Sequence, residues 1–165
     1  MTNMDIEIRR AHIGDIPRIM ELLSQVLEVH AAGRPDLFKS GTTKYSRSEL
    51  AAIIADDERP IFVGEHSGVV QGYAFCIFQH HNDRNTPKYT TLYIDDLCVD
   101  EKSRGMHVGR TLYDHVLKFA KEQGCYNVTL NVWTCNESAM KFYEKCGLSV
   151  EKYGMEKILQ GDKND

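Results

Sequence analysis

No run of basic residues, no CxxC pair and no long apolar stretch occurs in this chain, and each absence closes off a class of function. With no basic stripe and a formal net charge of −4, the 165 residues lack the electrostatic footprint of a general nucleic-acid binder. The opening MTNMDIEIRR alternates polar and apolar residues instead of building an apolar core, so neither a signal peptide, a transmembrane span nor a membrane partner is expected. Cys76, Cys98, Cys125, Cys135 and Cys146 are odd in number, and four of them sit in apolar or helical patterns. That usage suits reduced, buried thiols in a cytoplasmic protein. His80-His81 is the only histidine pair, and neighbours in a strand point to opposite faces, so no metal site is expected. The GK[ST] sequence of a nucleoside-triphosphatase loop is also missing.

What is present reads as one α/β (α+β) domain over residues 1–160, followed by a polar tail at 161–165, with no repeat or linker. Residues 6–10 alternate as a short strand would. Asp15 precedes a helix with Pro17 in its first turn and an apolar stripe of Ile16, Ile19, Met20, Leu23, Val26 and Leu27, ended by Gly33 and Pro35. Residues 31–45 have no sustained period and read as a loop. Ser46 and Glu49 form a capping box that starts a second helix. Strands are expected at 61–65 and 69–79, joined at Ser67-Gly68, and at 89–99. A helix over 108–122, a strand at 128–132, a helix over 136–145 and a last strand at 150–158 complete the order. Strand–helix–strand order in the second half implies a parallel pair, whereas the first half is mostly antiparallel.

Between Tyr93 and Leu148 the pattern becomes chemically specific. An extended apolar segment enters the turn Arg104-Gly105-Met106-His107-Val108-Gly109, which opens directly into a helix. Loop amides and a helix N-terminus then converge on one point, and such a point attracts phosphate. Further on, Asn136 opens a helix that carries Tyr143.

These two segments together resemble the GNAT superfamily of acetyl-CoA-dependent N-acetyltransferases. Arg104, Gly105 and Gly109 match the family's Gln/Arg-x-x-Gly-x-Gly/Ala motif, with His107 where the central glycine stands. Asn136, Ala139, Phe142, Tyr143 and Gly147 match its second motif, and Leu148 replaces a phenylalanine. The element order agrees from Ile6 to Leu159. The resemblance implies a mixed central sheet of about six to seven strands flanked by about four helices. It also implies that the strand at 93–99 splays from its parallel neighbour. Unpaired backbone at Leu97, Cys98 and Val99 would then bind the acetyl and pantetheine groups of acetyl-CoA. Gly105, Met106, His107, Val108, Gly109 and Arg110, with Arg104, would surround the pyrophosphate, and Asn136 would contact the pantetheine arm. At His107 the side chain is expected to project outward and leave backbone contacts intact; a direct phosphate contact is the alternative.

The same resemblance gives Tyr143 the role of the acid that protonates the departing thiolate, a role a phenol protonated at neutral pH can fill. Asp95 and Asp96 lie mid-strand, where acids are disfavoured unless used. Strict alternation would put them on opposite faces. Asp95 resembles the acid that serves as base in spermidine/spermine-type relatives. Asn131 stands where ribosomal-protein N-terminal acetyltransferases carry a glutamate base. Cys135 as an acyl-carrying nucleophile is the weaker reading, and Trp133 and Tyr126 read as strand packing. The segment Arg34-Pro35-Asp36-Leu37-Phe38 sits where relatives form the acceptor rim. The expected reaction is acetyl transfer to a primary amine: a small molecule, a polyamine, or a protein lysine or N-terminus. Asp95, Asp96 and Asp83 lean toward a cationic acceptor. The competing function is a non-catalytic acyl-CoA-binding module. Homodimers are common among relatives.

Overall fold

Strand pairing follows chain order in the computed structural model, which describes residues 5–161. The five strands are β1 (Glu7–Arg10), β2 (Ile61–His66), β3 (Val69–His81), β4 (Tyr89–Val99) and β5 (Asn127–Leu130), paired in the order β1-β2-β3-β4-β5. The first three pairings are antiparallel and β4–β5 is parallel. The β2–β3 hairpin closes through Ser67 and Gly68, both at positive φ (50° and 80°), the paired left-handed geometry that a two-residue hairpin turn demands.

Helices cover both faces. On one side lie α1 (Ile16–Gly33) and α2 (Arg47–Ile54), the latter started by the expected Ser46/Glu49 capping box. Their apolar stripes bury Ile19, Leu22, Leu23, Leu50 and Ile53 against Val63, Tyr73, Phe75 and Cys98. On the other side α3 (Val108–Glu122) sets Leu112 and Val116 on Ala74, Leu92 and Ile94. The last helix, α4 (Glu137–Lys145), has no buried residue.

Two expectations are corrected. Among the described residues the sheet has five strands, because residues 150–158 form no strand. Alternation alone cannot make a strand; it also needs a neighbour whose N–H and C=O groups it can pair, and none is offered along this path. The thiols are also less buried than expected: Cys76 and Cys98 are buried, Cys125 and Cys146 half-buried, and Cys135 exposed. Residues 1–4 of the expected domain, and the tail at 161–165 apart from Gly161, lie outside the described residues.

Candidate active site

The site begins where β4 and β5 part. Their parallel pairing runs from Thr91↔Asn127 to Ile94↔Leu130 and stops, while β4 continues to Val99 paired only with β3. Among the described residues, Asp95–Val99 therefore present a backbone edge without a strand partner, and its polar groups require some other one.

A bulge lies at the same point. Phe75 faces Asp96 and Cys76 faces Ile94, so Asp95 is an extra residue on β4. This corrects the expectation from alternation. Leu92, Ile94, Leu97 and Val99 pack toward α3. Asp95 and Asp96 both turn toward the α1–α2 side, where Asp95 meets Tyr45 and Asp96 meets Tyr73.

Asp95 takes hydrogen bonds from Tyr45 Oη at 2.6 Å and Lys44 Nζ at 2.9 Å. Burial and the Asp95 hydrogen bond hold the Tyr45 phenol above its usual pKa, which keeps it a donor. Asp96 accepts from Tyr73 Oη at 2.7 Å, with Tyr73 fully buried. Burial pushes the Asp96 carboxyl up to about 6 against the lowering effect of Tyr73 and Lys44. Tyr143 is half-buried, and burial and the Asp96 charge raise its pKa. Its hydroxyl makes no hydrogen bond among the described residues, so the proton is unengaged. Asp83 is not part of this group: it follows β3 in the loop before Tyr89, roughly 20 Å along β4 from Asp95.

The Arg104–Arg110 turn forms a cleft of about 270 Å³ lined by Val99, Ser103, Arg104, Gly105, His107, Val108, Gly109, Arg110 and Phe142. Thr111 is the first residue of α3 whose N–H reaches a helical carbonyl, that of His107 at 3.0 Å. The amides of Val108, Gly109 and Arg110 are thereby left for something outside the helix. Gly105 adopts φ +90° with open space around it. His107 is exposed and also left-handed (φ 60°, ψ 22°), a conformation that the family's glycine would adopt without strain.

Four residues expected at the cofactor do not line this cleft. Leu97 packs toward α3, and the Cys98 thiol is buried against the Leu22 carbonyl with its pKa pushed up to about 12. Met106 gives its N–H to Ser103 and packs on the α3-side core. Asn136 caps α4 by accepting from the Ala139 N–H at 3.3 Å. Leu97 and Cys98 nonetheless sit on the unpaired edge of β4.

Comparison with known proteins follows the same outline. The profile of the acetyltransferase (GNAT) family matches residues 23–148. The chain belongs to the GNAT acetyltransferase family. It is an acyltransferase. Among its relatives is the probable glucosamine 6-phosphate N-acetyltransferase 2 of Oryza sativa subsp. japonica, 30% identical, with 92% of this chain and 86% of that one covered. The thialysine N-epsilon-acetyltransferase of Bos taurus is 26% identical over 86% and 83% of the two chains. Among solved structures, a mutant of the BH1408 protein from Bacillus halodurans superposes with a TM-score of 0.88 at 27% identity, covering 93% and 99%.

Against the GNAT motifs, three side chains at this site were not legible. Lys44 and Tyr45 belong to a loop with no pattern of its own, yet they meet Asp95 across about fifty positions. Ser103 is buried in the cleft wall and donates to Gln71. Tyr126 packs edge-on against Tyr89 of β4 at 5.7 Å, in line with the strand-packing expectation, whereas Trp133 lies beyond the end of β5; both keep substantial exposure. Trp133 rests its edge on Phe38, and Arg34 lies over its ring.

Proposed function

We propose that this chain transfers an acetyl group from acetyl-CoA to the primary amine of a small molecule, directly and within a ternary complex. The observation that carries this reading is the parting of β4 from β5 after Ile94, which sets an unpaired backbone edge beside Asp95, Asp96 and Tyr143. The rice and cattle relatives are named for acetylating glucosamine 6-phosphate and thialysine, which favours a small molecule over a protein acceptor. So does Asn131, whose amide cannot serve as a base.

Bound acetyl-CoA would supply an acetyl group already activated as a thioester. The residues present suit such a group: the free amides of Val108, Gly109 and Arg110 and the open space at Gly105 would receive the pyrophosphate. Arg110 would contribute through its backbone, because its guanidinium is turned to Asp114 at 3.1 Å. Leu97, Cys98 and Val99 would offer backbone groups to the pantetheine arm, with Asn136 at the head of α4. Asp95 would receive the proton of the acceptor ammonium at a carboxylate oxygen, directly or through water. Tyr143 would give its hydroxyl proton to the departing sulfur.

A second assignment of the base rests on one observation. Asp96 faces the same side as Asp95, and its carboxyl, pushed up to about 6, is the better matched to take a proton near neutral pH. Five free cysteines with no disulfide suit a reducing, cytoplasmic setting.

The test is thiol release from acetyl-CoA across a panel of amino sugars, amino acids, polyamines and peptides. Turnover confined to small amines supports the reading. Turnover only on peptide N-termini or lysines would overturn the substrate class, and an acetylated enzyme isolated without acceptor would overturn direct transfer.

A further inference from the structure

Two of the four buried polar residues among the described ones, Asp100 and Ser103, stand just before the Arg104–Arg110 turn, and neither belongs to the group around Asp95. A carboxylate is retained in a buried place only where partners replace its lost hydration. Asp100 accepts the Lys102 N–H at 3.0 Å and pairs with the Arg18 guanidinium. The Lys102 N–H first, and Arg18 after it, hold this carboxyl below its usual range against its burial, so it stays charged at neutral pH. Arg18 comes from the first turn of α1. Its Nε also donates to the Val70 carbonyl at 2.8 Å, which ties α1 to the start of β3.

Gln71, the next residue of β3, takes up the chain as it leaves β4. Strand pairing ends at Gly72↔Val99, and the Asp100 N–H then donates to the Gln71 carbonyl at 2.7 Å. The Ser103 hydroxyl donates to Gln71 Oε1, and the Ser103 N–H returns to the Asp100 carbonyl at 2.8 Å. The Met106 N–H follows onto the Ser103 carbonyl at 3.2 Å, so the network runs into the turn itself. At the far end the buried Val108 fixes the entry to α3. The turn is therefore strung between one apolar anchor and one polar anchor. The polar one carries more here than it would in a closed sheet, because β4 beyond Ile94 pairs with β3 alone among the described residues.

On the reading that this turn receives the pyrophosphate of CoA, we propose that Arg18 and Asp100 are positioning residues for the cofactor, clamping the base of the turn to α1 and β3 so that the Val108, Gly109 and Arg110 amides converge on one point. Neither side chain lines the cleft; both act through Ser103, which does. A cradle of donors binds well only when each donor is held within about 0.5 Å of its place. A clamp that prevents their drift also lowers the ordering cost of binding.

Equilibrium binding to the full chain of CoA, and of pantetheine, which has the same thiol arm without the pyrophosphate, tests the clamp. Wild type should bind CoA the more tightly. Arg18→Met leaves Asp100 charged, buried and without its guanidinium, a change that can unfold the chain. The double variant Arg18→Met with Asp100→Asn is therefore measured beside it: the new amide oxygen still accepts the Lys102 N–H, and no charge is left unpaired. In the double variant CoA Kd should rise by about 10-fold or more, while pantetheine Kd stays within about twofold. Arg18→Lys should keep part of the CoA affinity. A fold merely weakened would lose both ligands together, so equal losses would overturn the clamp, as would unchanged CoA binding in the double variant. A wild type that binds CoA no better than pantetheine would overturn the pyrophosphate reading, and the clamp with it.

Discussion

Lys44 Nζ lies 2.9 Å from Asp95 Oδ1, so a cation from the α1–α2 loop already occupies the carboxylate assigned to the acceptor's proton. Lys44 is about half exposed and Asp95 largely enclosed. A pair of that kind contributes only about 0.2–1 kcal/mol to stability. A cationic acceptor arriving at Asp95 must share the carboxylate with Lys44 or displace it. Lys44→Met should therefore cost less than about 1 kcal/mol in unfolding free energy. It should also lower KM for a cationic amine by roughly 2–5-fold. Steady-state kinetics at fixed pH check this, and an unchanged KM would place the acceptor away from Asp95.

Asp96 gives a prediction with a defined pH window. Its unfolded carboxyl titrates near 3.8 and its folded one near 6. Between these values the folded state holds more protons than the unfolded state, so stability falls as pH rises. The contribution is full below about pH 3.8 and gone above about pH 6. Asp96→Asn keeps an oxygen for the Tyr73 hydroxyl and removes the charge. The variant should match wild type near pH 4 and exceed it by about 1–2 kcal/mol at pH 7, a figure reduced from the full shift because the residue keeps some solvent contact. Denaturant titrations at several pH values measure the difference. If Asp96 is also the base, the acid limb of kcat/KM near pH 6 disappears in the same variant.

Local signals in the chain were readable where one residue type answers one local need. The Ser46/Glu49 box, the Ser67-Gly68 turn, the strand at 89–99 and the helix at 108–122 all stand where spacing and capping put them. Asp95 and Asp96 were misread because alternation assumes one residue per pleat, and a bulge is invisible until the partner strand is known. The contact of Lys44 and Tyr45 with Asp95 depends on how a patternless loop crosses the sheet. Residues 150–158 carry a strand's alternation without a strand's neighbour, and pairing is a property of two segments that neither sequence states alone.

Tyr143 has a phenol held above its ordinary pKa by burial and by Asp96, and its hydroxyl has no hydrogen bond among the described residues. Both features keep it protonated, as an acid for a departing thiolate must be. Tyr143→Phe removes one oxygen and preserves the ring stacked edge-on against Phe142 at 5.2 Å. With Tyr143 as the proposed acid, its loss should lower kcat by about 100-fold or more, while CoA Kd stays within about twofold. Equal losses in binding and turnover would instead mean that the hydroxyl positions the cofactor.

His107 stands in the left-handed region at φ 60° and ψ 22°, at the entrance to α3, and its side chain makes no capping hydrogen bond. A residue with a Cβ there carries about 1–2 kcal/mol of strain that glycine avoids. Glycine's larger unfolded entropy offsets part of the gain. His107→Gly should therefore stabilise the fold by about 0.5–1 kcal/mol, raising Tm by roughly 1–4 °C for a chain of this length. The amides of Val108, Gly109 and Arg110 keep their places in that variant, so CoA Kd should not move if backbone alone holds the pyrophosphate. A Kd that weakens in both His107→Gly and His107→Ala would show the imidazole itself touching phosphate. Calorimetry of the free protein separates this from strain, because strain relief changes Tm without any ligand present.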